Sequence, residues 1–155
     1  MKLRYTILCS LILLLGFTEL DAQTYRTAVG ARFDDNAIGV TVAQKIGRKV
    51  TLEGIWLRDD VEVQQGYLLA KRHFGFGRRR LNFYVGGGVH AGFDPEYVRL
   101  TGYDLIGGAE FTLRRLTIAG DVKPEWDFGT NQYIGLNPSV TVRYTLFRDR
   151  RNNCR

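Results

Sequence analysis

Between Leu81 and Phe93 the chain reads Leu-Asn-Phe-Tyr-Val-Gly-Gly-Gly-Val-His-Ala-Gly-Phe, and taking every second residue divides it into two sets. Leu81, Phe83, Val85, Gly87, Val89, Ala91 and Phe93 are apolar throughout, whereas Asn82, Tyr84, Gly86, Gly88, His90 and Gly92 are polar or very small. A β-strand sends successive side chains to opposite faces, so this stretch is a strand with one greasy face and one wet, narrow face. Which of the two faces outwards decides what kind of protein this is.

The same period of two recurs along the chain, and no stretch beyond the first residues shows sustained helical periodicity. The expected strands are Thr24–Phe33, Ala37–Lys45, Lys49–Arg58, Glu62–His73, Leu81–Phe93, Tyr103–Leu113, Leu116–Phe128 and Tyr133–Phe147, separated by short turns such as Asp34-Asp35-Asn36 and Arg114-Arg115. For Glu62–His73 two apolar faces compete: Gly66, Leu68, Ala70 and Phe74, or Val63, Tyr67 and Leu69. Eight such strands make an antiparallel up-and-down meander that closes as a barrel.

Ahead of this barrel, Lys2 and Arg4 precede an apolar run from Ile7 to Phe17, with Asp21-Ala22-Gln23 offering a cut. That is the layout of a secretory signal peptide over residues 1–22, and the run is too short to span a bilayer as a helix. The barrel then covers 23–147, and 148–155 form a short basic tail. Cys9 falls within the signal, which leaves Cys154 alone, so neither an internal disulfide nor a cysteine metal site is available. No cofactor motif is present. A glycine run cradles phosphate only between a strand and a helix N-terminus. Gly86, Gly87 and Gly88 lie mid-strand, where Gly86 and Gly88 leave space and Gly87 eases curvature.

The polar faces decide the orientation. They carry Glu53, Glu110, Asp121, Lys123, Glu125 and Arg143 well inside their strands, mixed with Gly, Ala, Ser and Thr. The apolar faces place aromatics near strand ends, with Tyr25, Phe83, Phe111 and Tyr144 at one rim and Phe33, Trp56, Phe93, Tyr103 and Trp126 at the other. Charges inwards and two aromatic girdles around an aliphatic band are the signature of a transmembrane β-barrel, the inverse of a soluble one. The expected lumen is therefore a charge network of those six residues, with Asp121 and Arg143 as its central pair. Eight strands enclose a space that side chains fill, which argues against an open pore. His90 also faces this lumen, where Glu125 and Ser139 can join it.

Taken together, Leu81–Phe93, Gly107-Gly108-Ala109-Glu110-Phe111, Lys123-Pro124-Glu125-Trp126 and Val142-Arg143-Tyr144-Thr145-Leu146-Phe147 resemble the small outer-membrane β-barrel proteins of Gram-negative bacteria. The resemblance covers residues 24–147 and implies an outer-membrane location. It also implies lipid contact and a closing signal read by the barrel assembly machinery, supplied here by Tyr144, Leu146 and Phe147. The implied role is a structural or interaction component, with an envelope protein as a further partner and nucleic acid excluded. A lipid-modifying barrel enzyme built around His90 and a soluble lipocalin-like ligand carrier are the alternative readings. Charge is sorted along the barrel axis. Asp34, Asp35, Asp59, Asp60, Asp94 and Glu96 fall at one end, and Lys45, Arg48, Arg78, Arg79, Arg80, Arg114 and Arg115 at the other.

Overall fold

Alternation of this kind leaves each strand with two faces of opposite character, and the chain resolves the conflict by curling into a closed cylinder. A computed structural model describes residues 25–59, 64–75, 80–93, 99–128 and 133–148, with the side chains of 93, 99, 100, 133 and 134 left aside. The expected signal peptide and the tail from 149 onwards lie outside the described residues. The strands are β1 (Tyr25–Asp34), β2 (Ala37–Lys45), β3 (Val50–Asp59), β4 (Gln64–Gly75), β5 (Leu81–Phe93), β6 (Arg99–Leu113), β7 (Leu116–Asp127) and β8 (Tyr133–Arg148). Each pairs antiparallel with its neighbour in sequence, and β8 pairs with β1 to close the barrel. Closure gives every strand two paired neighbours and leaves no open sheet edge.

The turns follow from local chemistry. Asp35-Asn36 joins β1 to β2, and Arg114-Arg115 joins β6 to β7 with Arg114 in the left-handed region at φ 56°. In the β2–β3 turn, the backbone N–H groups of Ile46 and Gly47 both donate to the Val50 carbonyl. We call the rim holding Tyr25 and Arg148 the near rim and the rim holding Asp35 the far rim.

Side chains divide by face as the alternation requires. Val40, Val42, Leu68, Val85, Val89, Leu105, Ile118, Leu136 and Val140 are exposed on the outer wall, while Arg32, Glu53, Lys71, Asn82, Thr117, Lys123, Thr141 and Arg143 are buried inside. The two open choices for β4 resolve in favour of Tyr67 and Leu69 inwards, joined by Lys71 and His73, with Leu68 outwards. The inward glycines of β5 sit against their neighbour's backbone rather than in empty space. A Cβ on Gly86 would strike the Ala70 carbonyl, and one on Gly88 the Leu68 carbonyl. At these two positions the β4 backbone leaves no room for an inward side chain, as neighbouring backbones also do at Gly30, Gly39 and Gly102. Outward glycines behave differently: a Cβ on Gly54, Gly107 or Gly120 meets nothing.

One expectation about the outer wall is overturned. Tyr25, assigned to the outer aromatic girdle, is 1% exposed and points inwards. The β1–β8 ladder shifts register twice, between Tyr25 and Thr27 and between Thr27 and Ala28, so parity does not carry from Phe33 back to Tyr25. A bulge reverses the facing of every residue beyond it.

Candidate functional site

The barrel interior is where the chain concentrates its chemistry, and its charged side chains form three connected groups along the axis. Nearest the near rim, β6 supplies Glu110. Its carboxylate accepts from the Tyr25 hydroxyl at 3.2 Å, Asn82 Nδ2 at 3.3 Å and Arg143 Nη1 at 3.5 Å, with His73 Nδ1 3.3 Å away. Arg143 also reaches across to Glu53, with Nη2 2.9 Å from Oε1. Glu53 further pairs with Lys71 and accepts from the Thr41 hydroxyl. The Lys71 ammonium stands 4.5 Å from the centroid of the Tyr84 ring, a cation–π contact that helps hold it in the interior.

The middle group is built on Asp121 of β7. Arg32 approaches it through Nη2 at 2.8 Å and Nη1 at 3.3 Å, a two-pronged contact, while the Tyr84 hydroxyl donates at 2.5 Å and Ser139 Oγ at 2.6 Å. Arg32 Nε turns towards the far rim and donates to Asp34 at 2.8 Å. Buried charges are tolerated only when paired and hydrogen-bonded, and this carboxylate has donors on both oxygens.

At the far rim, Lys123 Nζ lies 2.8 Å from Glu125 Oε1, 3.7 Å from Asp34 Oδ2 and 3.3 Å from the centroid of the Tyr67 ring. The Tyr67 hydroxyl donates to Gln65 and, at 3.4 Å, to the same Glu125 oxygen. Beside them His90 Nδ1 is 2.8 Å from Asp104 Oδ1. A Cβ on Gly102 would meet the His90 ring, so that glycine makes the seat for the imidazole. Above this group a polar pocket of about 200 Å³ is lined by Asp34, Asp35, Asp59, Gln65, Glu125 and Asn137, among others. On the outer wall, two apolar grooves of about 500 and 440 Å³ lie where Gly54 with Gly66, and Gly107 with Gly120, present no side chain.

All six charged residues expected in the lumen are inside the barrel, each no more than 6% exposed. The expected central pair does not form. In the β7–β8 register Asp121 stands opposite Ser139, whereas Arg143 stands opposite Thr117, two same-face steps nearer the near rim. Asp121 takes Arg32 as its partner instead, and Arg143 takes Glu53 and Glu110. Sequence reading passed over Arg32, Lys71, His73 and Asp104 as network members. The signal for Arg32 and Asp104 was present, since both fall in the polar set of their strands. Lys71 and His73 lay on the strand whose faces were ambiguous. His90 meets Asp104 and lies near Glu125, whereas Ser139 is drawn away to Asp121.

Phe33, Trp56, Phe83, Tyr103, Phe111 and Tyr144 are exposed on the outer wall, as are Leu146 and Phe147. Trp126 stacks on Tyr103 with centroids 5.3 Å apart and planes 8° from parallel. The side chain of Phe93 is outside the described set.

No family model and no curated protein matches this sequence. Known solved structures share its fold. The N-terminal β-barrel domain of Pseudomonas aeruginosa OprF superimposes with a TM-score of 0.62 at 14% identity, over 79% of this chain and 100% of that one. A barrel from the de novo design of transmembrane β-barrels gives 0.56 at 12% identity, over 81% and 99%. The chain thus has the fold of an eight-stranded antiparallel transmembrane β-barrel.

Proposed function

We propose that the protein is a structural or interaction component of the bacterial outer membrane, a small barrel whose lumen is closed by its own side chains. The observation that carries this reading is the interior network, which runs from Tyr25 and Glu110 at the near rim to Asp34 and Glu125 at the far rim. Arg32, Lys71, Lys123 and Arg143, the bulkiest cations in it, are at most 1% exposed. Eight strands enclose a space about one layer of side chains wide, so residues of this size leave no continuous water column. The apolar outer wall supports burial in lipid, with Phe33, Trp56, Tyr103 and Trp126 at one interface and Phe83, Phe111 and Tyr144 at the other. Tyr144, Leu146 and Phe147 form the closing signal for the assembly machinery, and the residual function is contact with lipids or an envelope protein partner.

Purified folded barrel inserted into planar bilayers tests the closed lumen. The expected outcome is no steady conductance above the bare bilayer at moderate voltage; reproducible unitary steps that scale with barrel insertion would overturn it.

A further inference from the structure

The charges inside the barrel do not balance evenly along its axis. At the near rim Glu53 and Glu110 are matched by Lys71 and Arg143, and in the middle Asp121 is matched by Arg32. The far-rim group holds three carboxylates, Asp34, Asp104 and Glu125, with side chains at most 8% exposed, against the ammonium of Lys123 and the Nε edge of Arg32, a guanidinium already counted against Asp121. Two negative charges are left over in one place, and the group beside them is His90. An excess of this kind in an enclosed interior is costly unless a cation offsets it.

The geometry of that place is the second observation. One ligand atom each from His90, Asp104 and Glu125 lie within 4.8 Å of one another, and all three residues are buried. His90 Nε2 and Asp104 Oδ2 have no hydrogen-bond partner, although the two residues are 4% and 1% exposed. Lys123 and Tyr67 both engage Glu125 through Oε1, so the carboxylate has a second oxygen to offer. Glu125 also lines the far-rim pocket, which gives an ion a route from water to the cluster.

We propose that His90, Asp104 and Glu125 form a binding site for one divalent transition-metal ion of the zinc class, independent of the structural role argued above. One imidazole nitrogen with two carboxylates is a donor set for borderline ions, and three protein ligands leave a position for water on the pocket side. A divalent charge cancels the local excess of two. The ligands come from three consecutive strands, β5, β6 and β7, with Asp104 directly opposite Glu125, so the site forms once those ladders pair, and its seat on Gly102 orients the imidazole. Calcium and magnesium prefer all-oxygen shells and bind here more weakly.

The test uses folded full-length protein with its thiols alkylated, checked for folding by heat-dependent gel migration and titrated with zinc by calorimetry. One zinc per barrel is expected, weakened at least tenfold in Asp104→Asn and in Glu125→Gln and unchanged in Asp35→Asn, an exposed rim carboxylate outside the cluster. Where a variant does not fold, the unaltered protein carries the test. Cobalt should then give visible absorption bands of a low-coordinate nitrogen–oxygen site, and zinc should shift the imidazole signals of one of the two histidines. Absence of zinc binding by the folded barrel would overturn the proposal, with the excess charge then met by protons. Binding undiminished in both carboxylate variants, or matched by magnesium, would overturn it as well by assigning the ion to the acidic rim alone.

Discussion

At the scale of single residues, glycine and arginine carry the most specific information. Gly88 faces inwards against the Leu68 carbonyl, so Gly88→Ala forces the β4 and β5 backbones apart and should destabilise the barrel by about 1–3 kcal/mol. Gly107 faces open space, and Gly107→Ala should leave stability unchanged; urea unfolding of the two variants in lipid vesicles separates the cases. Arg143 bridges Glu53 and Glu110, which makes it the hub of the near-rim group. Arg143→Ala would leave two buried carboxylates short of a partner and should cost about 3–5 kcal/mol in the same measurement. Both effects are hard to read from sequence. Alternation assigns Gly88 to the inner face without showing that the Leu68 carbonyl closes on it, and Arg143 is recognisable as inward-facing without showing which acids it meets.

At the scale of elements, alternation is the strong signal and strand ends are the weak one. β5 and β7 hold parity over most of their length, so Leu81–Gly92 and Leu116–Glu125 can be assigned residue by residue. β1 loses parity at its first residues because the ladder with β8 shifts register there, and Tyr25 turns from an expected outer aromatic into a donor to Glu110. A bulge is a property of two paired strands and leaves no mark on either alone. β4 was ambiguous because its inward face carries Tyr67 and Leu69 as well as Lys71 and His73, mixing apolar and charged residues on one side. Outer-wall depth gives a prediction at this scale. Val122 lies mid-strand on β7 and Leu116 lies at the turn, both exposed. Val122→Arg should cost about 2–4 kcal/mol in lipid and Leu116→Arg only about 0–1, read as shifts in urea unfolding free energy.

At the scale of the whole molecule, closure and strand number set what the protein can do. On the proposed closed-lumen reading, Arg32, Lys71, Lys123 and Arg143 together fill the space that eight strands enclose, so the expected absence of conductance is a property of the barrel and of no single residue. Period-two patterning by itself determined the strand number, the antiparallel meander, the inversion of polar and apolar faces and the membership of most of the lumen. It could do so because those features depend only on which side of a pleated chain each residue occupies. Tertiary structure alone decided the register of eight ladders, and with it every pairing across the lumen: Arg32 with Asp121, Arg143 with Glu53 and Glu110, and His90 with Asp104 beside Glu125. Those contacts join residues from different strands at a depth fixed by ladder stagger and by register shifts near Tyr25 and at Glu125–Trp126, and no local pattern encodes the depth at which two strands bring their charges together.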